Sequence, residues 1–354
     1  MRLEGPVLVV GAGLLGTSIA LALRRHDVDV ALRDVSNEHV RIATGLGAGN
    51  TDASAVRPRL VVVAVPPDHL AEQVAEALRD TDAVVTDVGS VKSAPLAEVR
   101  RLAPEGLRRY VGSHPMAGSE RSGPFAASAA LFDGRPWAVT PHETADPAAV
   151  AMVEELARAC GATPVIFAPE EHDRAVARTS HLPHLLAALV AGRLADAPRE
   201  HLALSGQGVR DVTRIAAGDP GLWQQIIAAN TAALEDLLRD VRADVDHLLV
   251  ALSGGDRAAI AAVLGRGVTG TAAIPGKHGG PSRAETTVFV AVPDHPGELA
   301  RLFGDVGEIG VNVEDVRIDH DPAREYGLLE LSVAADAADH LLQALEDRGW
   351  TTHR

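Results

Sequence analysis

The chain has 354 residues, of which 46% are hydrophobic and 23% charged, and its formal net charge of -15 argues against a nucleic-acid partner. This length is enough for two or three domains, each with its own core. The single cysteine, Cys160, excludes an intramolecular disulfide, and neither a secretory signal nor a membrane-spanning run of ~20 apolar residues is visible, so we expect a cytoplasmic protein.

The first predicted element is a short apolar strand that leads into a glycine-rich turn. Residues 7–10 precede Gly11, Gly13 and Gly16, and an apolar helical stretch follows. The first glycine permits a tight turn, the second lets backbone amides approach a pyrophosphate at the helix N-terminus, and the third lets the helix pack on the strand. The turn, with Leu14 and Leu15, is therefore predicted to bind a dinucleotide.

An acidic residue follows the second predicted strand, residues 28–32. Asp34 stands 18 residues after Gly16, where a carboxylate can accept hydrogen bonds from both ribose hydroxyls and repel a 2′-phosphate. We therefore expect NAD rather than NADP as the cofactor. Arg33 beside it weakens this inference, because an arginine there could accommodate the phosphate.

Further strands are predicted at residues 60–65, 83–86, 137–140 and 163–167. The first of them is continuously apolar and stops at two prolines, as is typical of a buried parallel strand. Ligands of open α/β sheets bind outside the carboxyl ends of the strands. Val65, Pro66, Ser90 and His114 are therefore expected to converge with the glycine turn at one crevice.

The most informative segment is residues 112–123, Gly-Ser-His-Pro-Met-Ala-Gly-Ser-Glu-Arg-Ser-Gly. Its three glycines and its proline predict irregular backbone rather than helix or strand. His114 would then lie in a loop with Ser119 and Glu120, and such neighbours can set the tautomer and the pKa of an imidazole that accepts a proton. A polar surface turn is the alternative for this segment taken alone.

From about residue 170 to residue 265 the pattern is helical. His181 and His184 share one helix face around Pro183, which a helix tolerates in its first turn. His172 is the third ligand that a metal site would need, but we favour substrate contact by one histidine of the pair and a buried structural role for the other. Arg210 and Arg214, spaced i, i+4, could bind carboxylates together, with solvated surface arginines as the alternative.

One long helix is predicted from about residue 220 to residue 252. Asp219 is its predicted N-cap, Pro220 its first residue, and Trp223 lies in its first turn. Apolar residues recur along it at alternating spacings of four and three, namely Leu234, Leu238, Val241, Val245, Leu248 and Leu252. Because such a seam requires another helix to cover it, we expect a homodimer formed through this helical domain.

A glycine-rich linker, residues 266–284, precedes a small module at residues 285–354. Its pattern predicts the order β-α-β-β-α. Two turns are expected at the edge where such modules can hold a free amino acid; they contain Asp294, His295, Pro296 and Gly297 in one case and Asn312 in the other.

Taken in order, five motifs resemble those of prephenate dehydrogenases of the tyrosine pathway: the glycine turn, Asp-Val-Gly-Ser90-Val-Lys, the His114 segment, Ser-His-Leu-Pro-His184 and Arg210-Asp-Val-Thr-Arg214. The C-terminal module resembles an ACT regulatory domain. The resemblance implies an α/β Rossmann-like dinucleotide-binding domain (residues 1–168), an all-α dimerisation domain (169–265) and, after the linker, a small α+β ferredoxin-like ACT domain (285–354).

The resemblance also implies a reaction, the oxidative decarboxylation of prephenate to 4-hydroxyphenylpyruvate with NAD and without a metal. His114 would accept the proton of the ring hydroxyl, and Ser90 would hydrogen-bond the hydroxyl or the imidazole. The implied substrate contacts, which hold the carboxylates, shield the ring or gate access, are Arg214, His184, Ser119, Arg210, Trp223 and Glu120. Tyrosine is the expected effector of the ACT-like module.

Three alternatives remain open at this point. Arogenate differs from prephenate by one keto-to-amino change, so the sequence does not separate the two substrates. A 3-hydroxyacid dehydrogenase shares the first two domains, but it requires a lysine in the second one, and residues 169–264 contain none. An amino-acid sensor with a vestigial dinucleotide domain is disfavoured by the intact Gly11, His114 and Arg214.

Overall fold

The computed structural model describes residues 3, 5–51, 57–117, 122–274, 285–319 and 326–354. The chain divides into two compact units, one ending at Val250 and the other beginning at Ala251. No helix within the described residues is long and apolar enough to cross a membrane.

Strands and helices alternate at the start of the first unit. They are β1 (Val7–Val10), α1 (Leu14–Arg24), β2 (Val30–Arg33), α2 (Asn37–Gly45), β3 (Leu60–Val63), α3 (Pro67–Asp80), β4 (Val84–Asp87) and α4 (Ser93–Leu102). The four strands form a parallel sheet in the order β2-β1-β3-β4. The strand, glycine turn and helix predicted at the start of the chain are confirmed.

Both faces of this sheet are buried, which explains the continuous apolar runs of its strands. In β1, Val7 and Val9 belong to one hydrophobic core, whereas Leu8 and Val10 belong to a second core on the other face. Val7 pairs with Val30 on one side and with Leu60 on the other, so the carboxyl ends of the strands lie at one edge. The glycine turn leaves β1 at that edge.

A second sheet follows along the chain. Its elements are β5 (Gly112–Pro115), β6 (Pro136–Thr140), α5 (Pro147–Ala159) and β7 (Thr163–Ile166). β5 is antiparallel to β6, and β6 is parallel to β7. A bridge between Val85 and Tyr110 joins the approach to β5 with β4. The strands predicted near residues 137 and 163 are thus present, but they belong to a separate hydrogen-bonded sheet.

His114 lies on β5, so the prediction of irregular backbone over residues 112–123 is wrong for the first four residues. β5 pairs with β6 through His114 opposite Ala138, and Pro115 stands at the end of the strand, where a missing N–H is tolerated. Short 3₁₀ helices flank this region at Pro104–Arg109 and Pro124–Ala126. Ser119 and Glu120 lie outside the described residues.

The rest of the first unit is helical. It contains α6 (Pro169–Val176), a π-helical turn (Ala177–His181), α7 (Leu182–Gly192), α8 (Arg199–Leu202), α9 (Gln207–Thr213), a 3₁₀ turn (Arg214–Ala217), α10 (Pro220–Ala229) and most of α11 (Thr231–Gly254). Pro183 lies in the first turn of α7 as predicted, but the chain enters that turn already helical. The wider π turn relieves the clash between a proline ring and the carbonyl four residues earlier.

The prediction of one helix over residues 220–252 is wrong. Asp219 caps α10 as expected, with its carboxylate accepting from the Gly221 N–H at 2.8 Å. The helix is interrupted at Asn230, whose backbone leaves helical geometry with φ -124° and ψ 29°. The Asn230 side chain donates instead to the carbonyl oxygen of Asp173 at 2.9 Å. The interruption thus coincides with a tertiary hydrogen bond, which local sequence does not predict.

The second unit contains a small α+β module after α12. The elements are α12 (Arg257–Ala272), β8 (Glu285–Pro293), α13 (Glu298–Ile309), β9 (Val313–Asp319), β10 (Tyr326–Ala334), α14 (Ala338–Asp347) and β11 (Thr351–His353). The four strands form an antiparallel sheet in the order β11-β8-β10-β9. β11 was not predicted, because its sequence Thr-Thr-His shows no apolar alternation.

The linker expected at residues 266–284 begins later than predicted. Residues up to Ala272 belong to α12, whose N-cap Asp256 accepts hydrogen bonds from the Ala258 and Ala259 N–H groups at 3.0 Å. Alanines in the first half of this helix favour continuation through the later glycines. Residues 275–284 lie outside the described part of the chain.

The two turns expected to hold an amino acid do not lie at one edge of a single module. Residues 294–297 follow Pro293, which pairs with Tyr326, whereas Asn312 precedes Val313, which pairs with Val333 at the other end of β10. Along β10 this separation is about 20 Å. Antiparallel pairing places the two turns at opposite ends of the sheet. The expectation that both turns lie at one edge is therefore wrong within a single chain.

Candidate active site

The glycine turn between β1 and α1 leaves room for a ligand only at Gly13. Gly11 has φ 101°, and a Cβ atom on it would lie 2.4 Å from the carbonyl oxygen of Ala64. A Cβ on Gly16 would lie 1.8 Å from the carbonyl oxygen of Gly11. A Cβ on Gly13 would meet nothing within 4 Å, at the N-terminus of α1 beside Leu14. The open space before free helix N–H groups suits a pyrophosphate.

Asp34 directly follows β2 at the same edge of the sheet. Its carboxylate accepts hydrogen bonds from the Ala12 N–H at 2.6 Å and the Ser36 N–H at 2.7 Å, which tie it to the glycine turn. The guanidinium of Arg33 pairs with Glu76 at 3.3 Å. Since Arg33 already has an acidic partner, Asp34 is the residue placed to receive a ribose, as expected for NAD.

His114 is the first member of a hydrogen-bonded chain. Its Nδ1 lies 3.0 Å from Nε2 of His172, and Nδ1 of His172 lies 2.9 Å from Oδ1 of Asp173. His172 and Asp173 come from α6 and are buried, at 2% and 5% exposure. The sequence interpretation considered His172 only as a metal ligand and missed Asp173. His172 and Asp173 are neighbours in the short helix α6, and no motif or periodic pattern in the sequence marks them as site residues.

Asp173 is held by the N-terminus of α4. Its Oδ1 accepts from the Lys92 N–H and its Oδ2 from the Ser93 N–H, both at 2.8 Å. Burial alone would raise the pKa of Asp173, but the hydrogen bonds from His172, Ser93 and Lys92 outweigh it and lower that pKa. The Asp173 carboxylate is therefore ionised and acts only as an acceptor.

A buried ion pair supports the backbone just before His114. The Lys92 ammonium donates to the Asp87 carboxylate and, at 2.7 Å, to the carbonyl oxygen of Ser113. The Tyr110 hydroxyl donates to the second Asp87 oxygen at 2.8 Å, and the Ser113 hydroxyl donates to the Asp87 carbonyl at 2.8 Å. Burial lowers the pKa of Lys92 against the opposing effect of Asp87. These contacts fix β5 to the end of β4.

The surroundings of His114 favour the neutral imidazole. Burial lowers its pKa well below the ordinary value of 6.5, and the neighbouring His172, Lys92 and His181 lower that pKa further. The side chain nevertheless remains partly exposed. At neutral pH His114 is therefore an uncharged base with access to a ligand.

His181 of the π turn and His184 of α7 both contact Trp223 of α10. The His184 ring stacks on the indole at 3.5 Å between centroids and 11° between planes, and His181 meets it edge-on at 6.2 Å. Nδ1 of His181 accepts from the Asn230 amide at 3.2 Å, and burial lowers the pKa of His181 to about 4. Both histidines are buried, and Asn230 connects this cluster to Asp173.

The two arginines of the predicted anion site lie on adjacent elements. Arg210 is on α9 and Arg214 begins the 3₁₀ turn after it, and both side chains are exposed. That turn ends at Gly218, where a Cβ would lie 2.6 Å from Nε1 of Trp223 and 3.2 Å from Cε1 of His184. The arginine-bearing segment therefore packs against the histidine and tryptophan cluster.

Further predicted residues follow strands at the carboxyl edge of the parallel sheet. Ser90 is half-buried in the turn between β4 and α4, and Val65 and Pro66 follow β3. α10 reaches this edge, because the Gln225 side chain accepts from the Asp68 N–H at 3.2 Å. Among the residues that the structure describes, no group of three His, Cys, Asp or Glu side chains could hold a metal ion.

Comparisons with known proteins agree with this arrangement. The family model "Prephenate dehydrogenase, nucleotide-binding domain" matches residues 19–166, and "Prephenate dehydrogenase, dimerization domain" matches residues 168–266. A probable prephenate dehydrogenase of Streptomyces niveus, NovF, is 38% identical over 355 residues, covering 97% of this chain and 98% of the relative.

Two solved structures are also similar. Prephenate dehydrogenase from A. aeolicus in complex with hydroxyphenyl propionate and NAD+ has a TM-score of 0.68 at 26% identity, covering 75% of this chain and 96% of that one. Synechocystis arogenate dehydrogenase has a TM-score of 0.65 at 26% identity, covering 75% and 98%.

Proposed function

The chain belongs to the prephenate dehydrogenase family, and we propose that it converts prephenate to 4-hydroxyphenylpyruvate and carbon dioxide with NAD as oxidant, in tyrosine biosynthesis. The observation that carries this proposal is a neutral, partly exposed His114 in contact with His172 of the helical domain, which also bears the Arg214 segment. A bound NAD supplies the hydride acceptor, and the glycine turn and Asp34 are the residues that would hold it.

In this reaction the chain's own groups accept one proton from the substrate and return it to the product. As the hydride leaves the ring carbon that bears the hydroxyl, the hydroxyl proton passes to the His114 imidazole and a carbonyl forms. Loss of the ring carboxylate as carbon dioxide then returns its electron pair to the ring, which becomes aromatic. The phenol oxygen recovers a proton from His114, so the imidazole is regenerated. No metal is needed in this scheme, because aromatisation drives the decarboxylation.

The helical domain supplies the substrate contacts in this proposal. Arg214 pairs with a carboxylate, assisted by Arg210, Ser119 and His184, and Trp223 shields the ring from water. Glu120 gates access from the segment after β5. Support for this assignment comes from the packing of the Arg214 turn against Trp223 and His184. Ser90 would hydrogen-bond the substrate hydroxyl or the imidazole.

The activity is tested by the absorbance of NADH after the purified chain is mixed with NAD and either prephenate or arogenate. We expect turnover of prephenate, and the ratio of kcat/KM for the two compounds decides between them. Arogenate is the second candidate substrate, since the Synechocystis neighbour is an arogenate dehydrogenase. Absence of NADH with both compounds contradicts the proposed function.

The assembly and the domain boundaries are also proposals. A homodimer formed through residues 169–265 is supported by the dimerization-domain match at residues 168–266. The dinucleotide-binding domain would then occupy residues 1–168, and the module that follows the linker would begin near residue 285.

For the C-terminal module we propose a ferredoxin-like ACT domain that binds tyrosine and lowers activity. Its antiparallel sheet in the order β11-β8-β10-β9 supports this assignment. The binding residues would be Asp294, His295, Pro296 and Gly297 in one turn and Asn312 in the other. Since the turns lie at opposite ends of the sheet, one ligand that touches both requires a second module.

The regulatory proposal predicts the effect of replacing Asn312 by alanine. Inhibition by tyrosine should weaken about tenfold, because a hydrogen bond to a charged ligand group contributes about 1.5 kcal/mol. The measurement is the tyrosine concentration that halves the rate at fixed prephenate, with Gln343→Ala on α14 as the control. Unchanged inhibition in Asn312→Ala, together with competition between tyrosine and prephenate, places tyrosine at the active site instead.

A further inference from the structure

The chain of hydrogen bonds behind His114 has a fixed direction. The ionised Asp173 carboxylate can only accept, so Nδ1 of His172 carries the hydrogen that is shared at 2.9 Å. In neutral His172 the other ring nitrogen, Nε2, then has a free lone pair. The hydrogen between the two rings, at 3.0 Å, must therefore reside on Nδ1 of His114. This assignment leaves Nε2 of His114 as the acceptor that remains for a substrate.

The geometry points to His172 and Asp173 as positioning residues that hold His114 in its base-competent tautomer and share the proton it accepts. When Nε2 of His114 takes the substrate proton, the Nδ1 hydrogen can move to Nε2 of His172. The positive charge then lies next to the Asp173 carboxylate, and the move reverses when the proton returns. This inference rests on the proposed function, because it concerns the base of that reaction.

Transfer of the Nδ1 hydrogen from His114 to His172, here called the relay, moves the positive charge away from an environment that opposes it. Burial and the neighbouring Lys92 ammonium oppose a positive charge on this ring, which makes an isolated imidazole there a weak base. The groups that face the pair are Lys92 from the start of α4, His181 from the π turn, and Asp173 from α6. Of these, only Asp173 is negative, and it contacts His172 rather than His114. His172 is thus the residue through which a carboxylate stabilises the protonated base.

The anchoring of Asp173 is consistent with this role. Two backbone N–H groups of α4 and the His172 ring hold its carboxylate, and the Asn230 amide holds its backbone carbonyl. A carboxylate held by three hydrogen bonds, on a residue whose backbone is also held, cannot turn away when the charge on the neighbouring ring changes. The relay therefore keeps its geometry through the reaction.

The test compares His172→Leu with His172→Gln, because glutamine retains an oxygen that can accept from Nδ1 of His114. We expect kcat to fall about 100-fold in His172→Leu and to recover at least partly in His172→Gln. In both variants the acid limb of the kcat/KM profile should move to lower pH by about one unit, because the carboxylate no longer reaches the base. Asp173→Asn should move the limb in the same direction.

The matched control is His142→Gln. His142 is another buried histidine of the first unit, whose Nε2 lies 3.1 Å from the carbonyl oxygens of Leu107 and Tyr110. Its replacement should leave the acid limb in place. A His172→Leu enzyme with an unmoved limb and kcat within about threefold of the parent overturns the inference.

A second readout does not depend on turnover. In protein labelled with ¹⁵N-histidine, the spectrum of the free chain should show His114, identified by its loss in His114→Asn, protonated at Nδ1. The Nε2–H tautomer in the parent chain refutes the inference even where the enzyme is active. If no NADH forms with either substrate but the Nδ1–H tautomer is found, the proposed function fails while the assigned hydrogen-bond direction stands.

Discussion

Replacement of His114 by asparagine is expected to lower kcat with prephenate by about 10³-fold, because the substrate hydroxyl loses its proton acceptor. The Kd for NAD should change by less than about twofold, since β5 and the glycine turn remain intact. Asparagine can still donate its amide hydrogen to Nε2 of His172, so the buried chain of hydrogen bonds is retained. Steady-state kinetics and NAD titration provide the two measurements.

Arg214→Gln is the contrasting variant. It removes a charge proposed to bind a carboxylate in both the ground state and the transition state, so KM should rise at least about tenfold while kcat changes less. The opposite pattern, in which His114→Asn turns over normally and Arg214→Gln loses kcat alone, contradicts the roles given to both residues.

Replacement of Lys92 by methionine is expected to lower the unfolding temperature by about 10 °C. Methionine fills a similar volume but leaves the Asp87 carboxylate charged and buried, with Tyr110 and the Gly89 N–H as its partners. Removing one member of a buried ion pair costs about 3–5 kcal/mol, and each kcal/mol shifts the melting temperature of a chain this large by about 2–4 °C. Differential scanning calorimetry measures the effect.

Two controls define the cause of that loss. The double variant Asp87→Asn, Lys92→Met removes the unpaired charge and should recover part of the lost temperature. Arg158→Met breaks an exposed pair with Glu154 and should cost less than about 1 kcal/mol. Equal losses of unfolding temperature in Lys92→Met and Arg158→Met would show that the buried ion pair contributes no more to stability than the exposed one.

Short sequence motifs and apolar runs predicted the parts of the fold that neighbouring residues determine. The glycines of residues 11–16 and the apolar strands specify the dinucleotide-binding edge, because turn geometry and burial act within a few residues. Asn230 shows the limit of this reasoning. The predicted helix runs through it, whereas the helix stops where the Asn230 side chain bonds to the carbonyl of Asp173, 57 residues away.

The same limit applies to the candidate site. His114 was identifiable from its segment, whereas its partners His172 and Asp173 lie 58 and 59 residues further along the chain and belong to a helix with no unusual motif. Lys92 stands in one of the five motifs, but its buried pairing with Asp87 required the three-dimensional structure. Opposite placement of the two C-terminal turns likewise follows from strand pairing, which residue types alone do not specify.

The burial of Lys92 also makes this chain unusual as a target for amine-reactive reagents. Lys92 and Lys277 are the two lysines in the sequence, and Lys92 is 1% exposed and engaged by Asp87 and Ser113. Acylation at position 92 therefore requires the turn between β4 and α4 to open. A labelling pulse followed by peptide mapping would measure the acylation rate of each lysine separately. The rate at Lys92 would report how fast the segment that supports His114 opens.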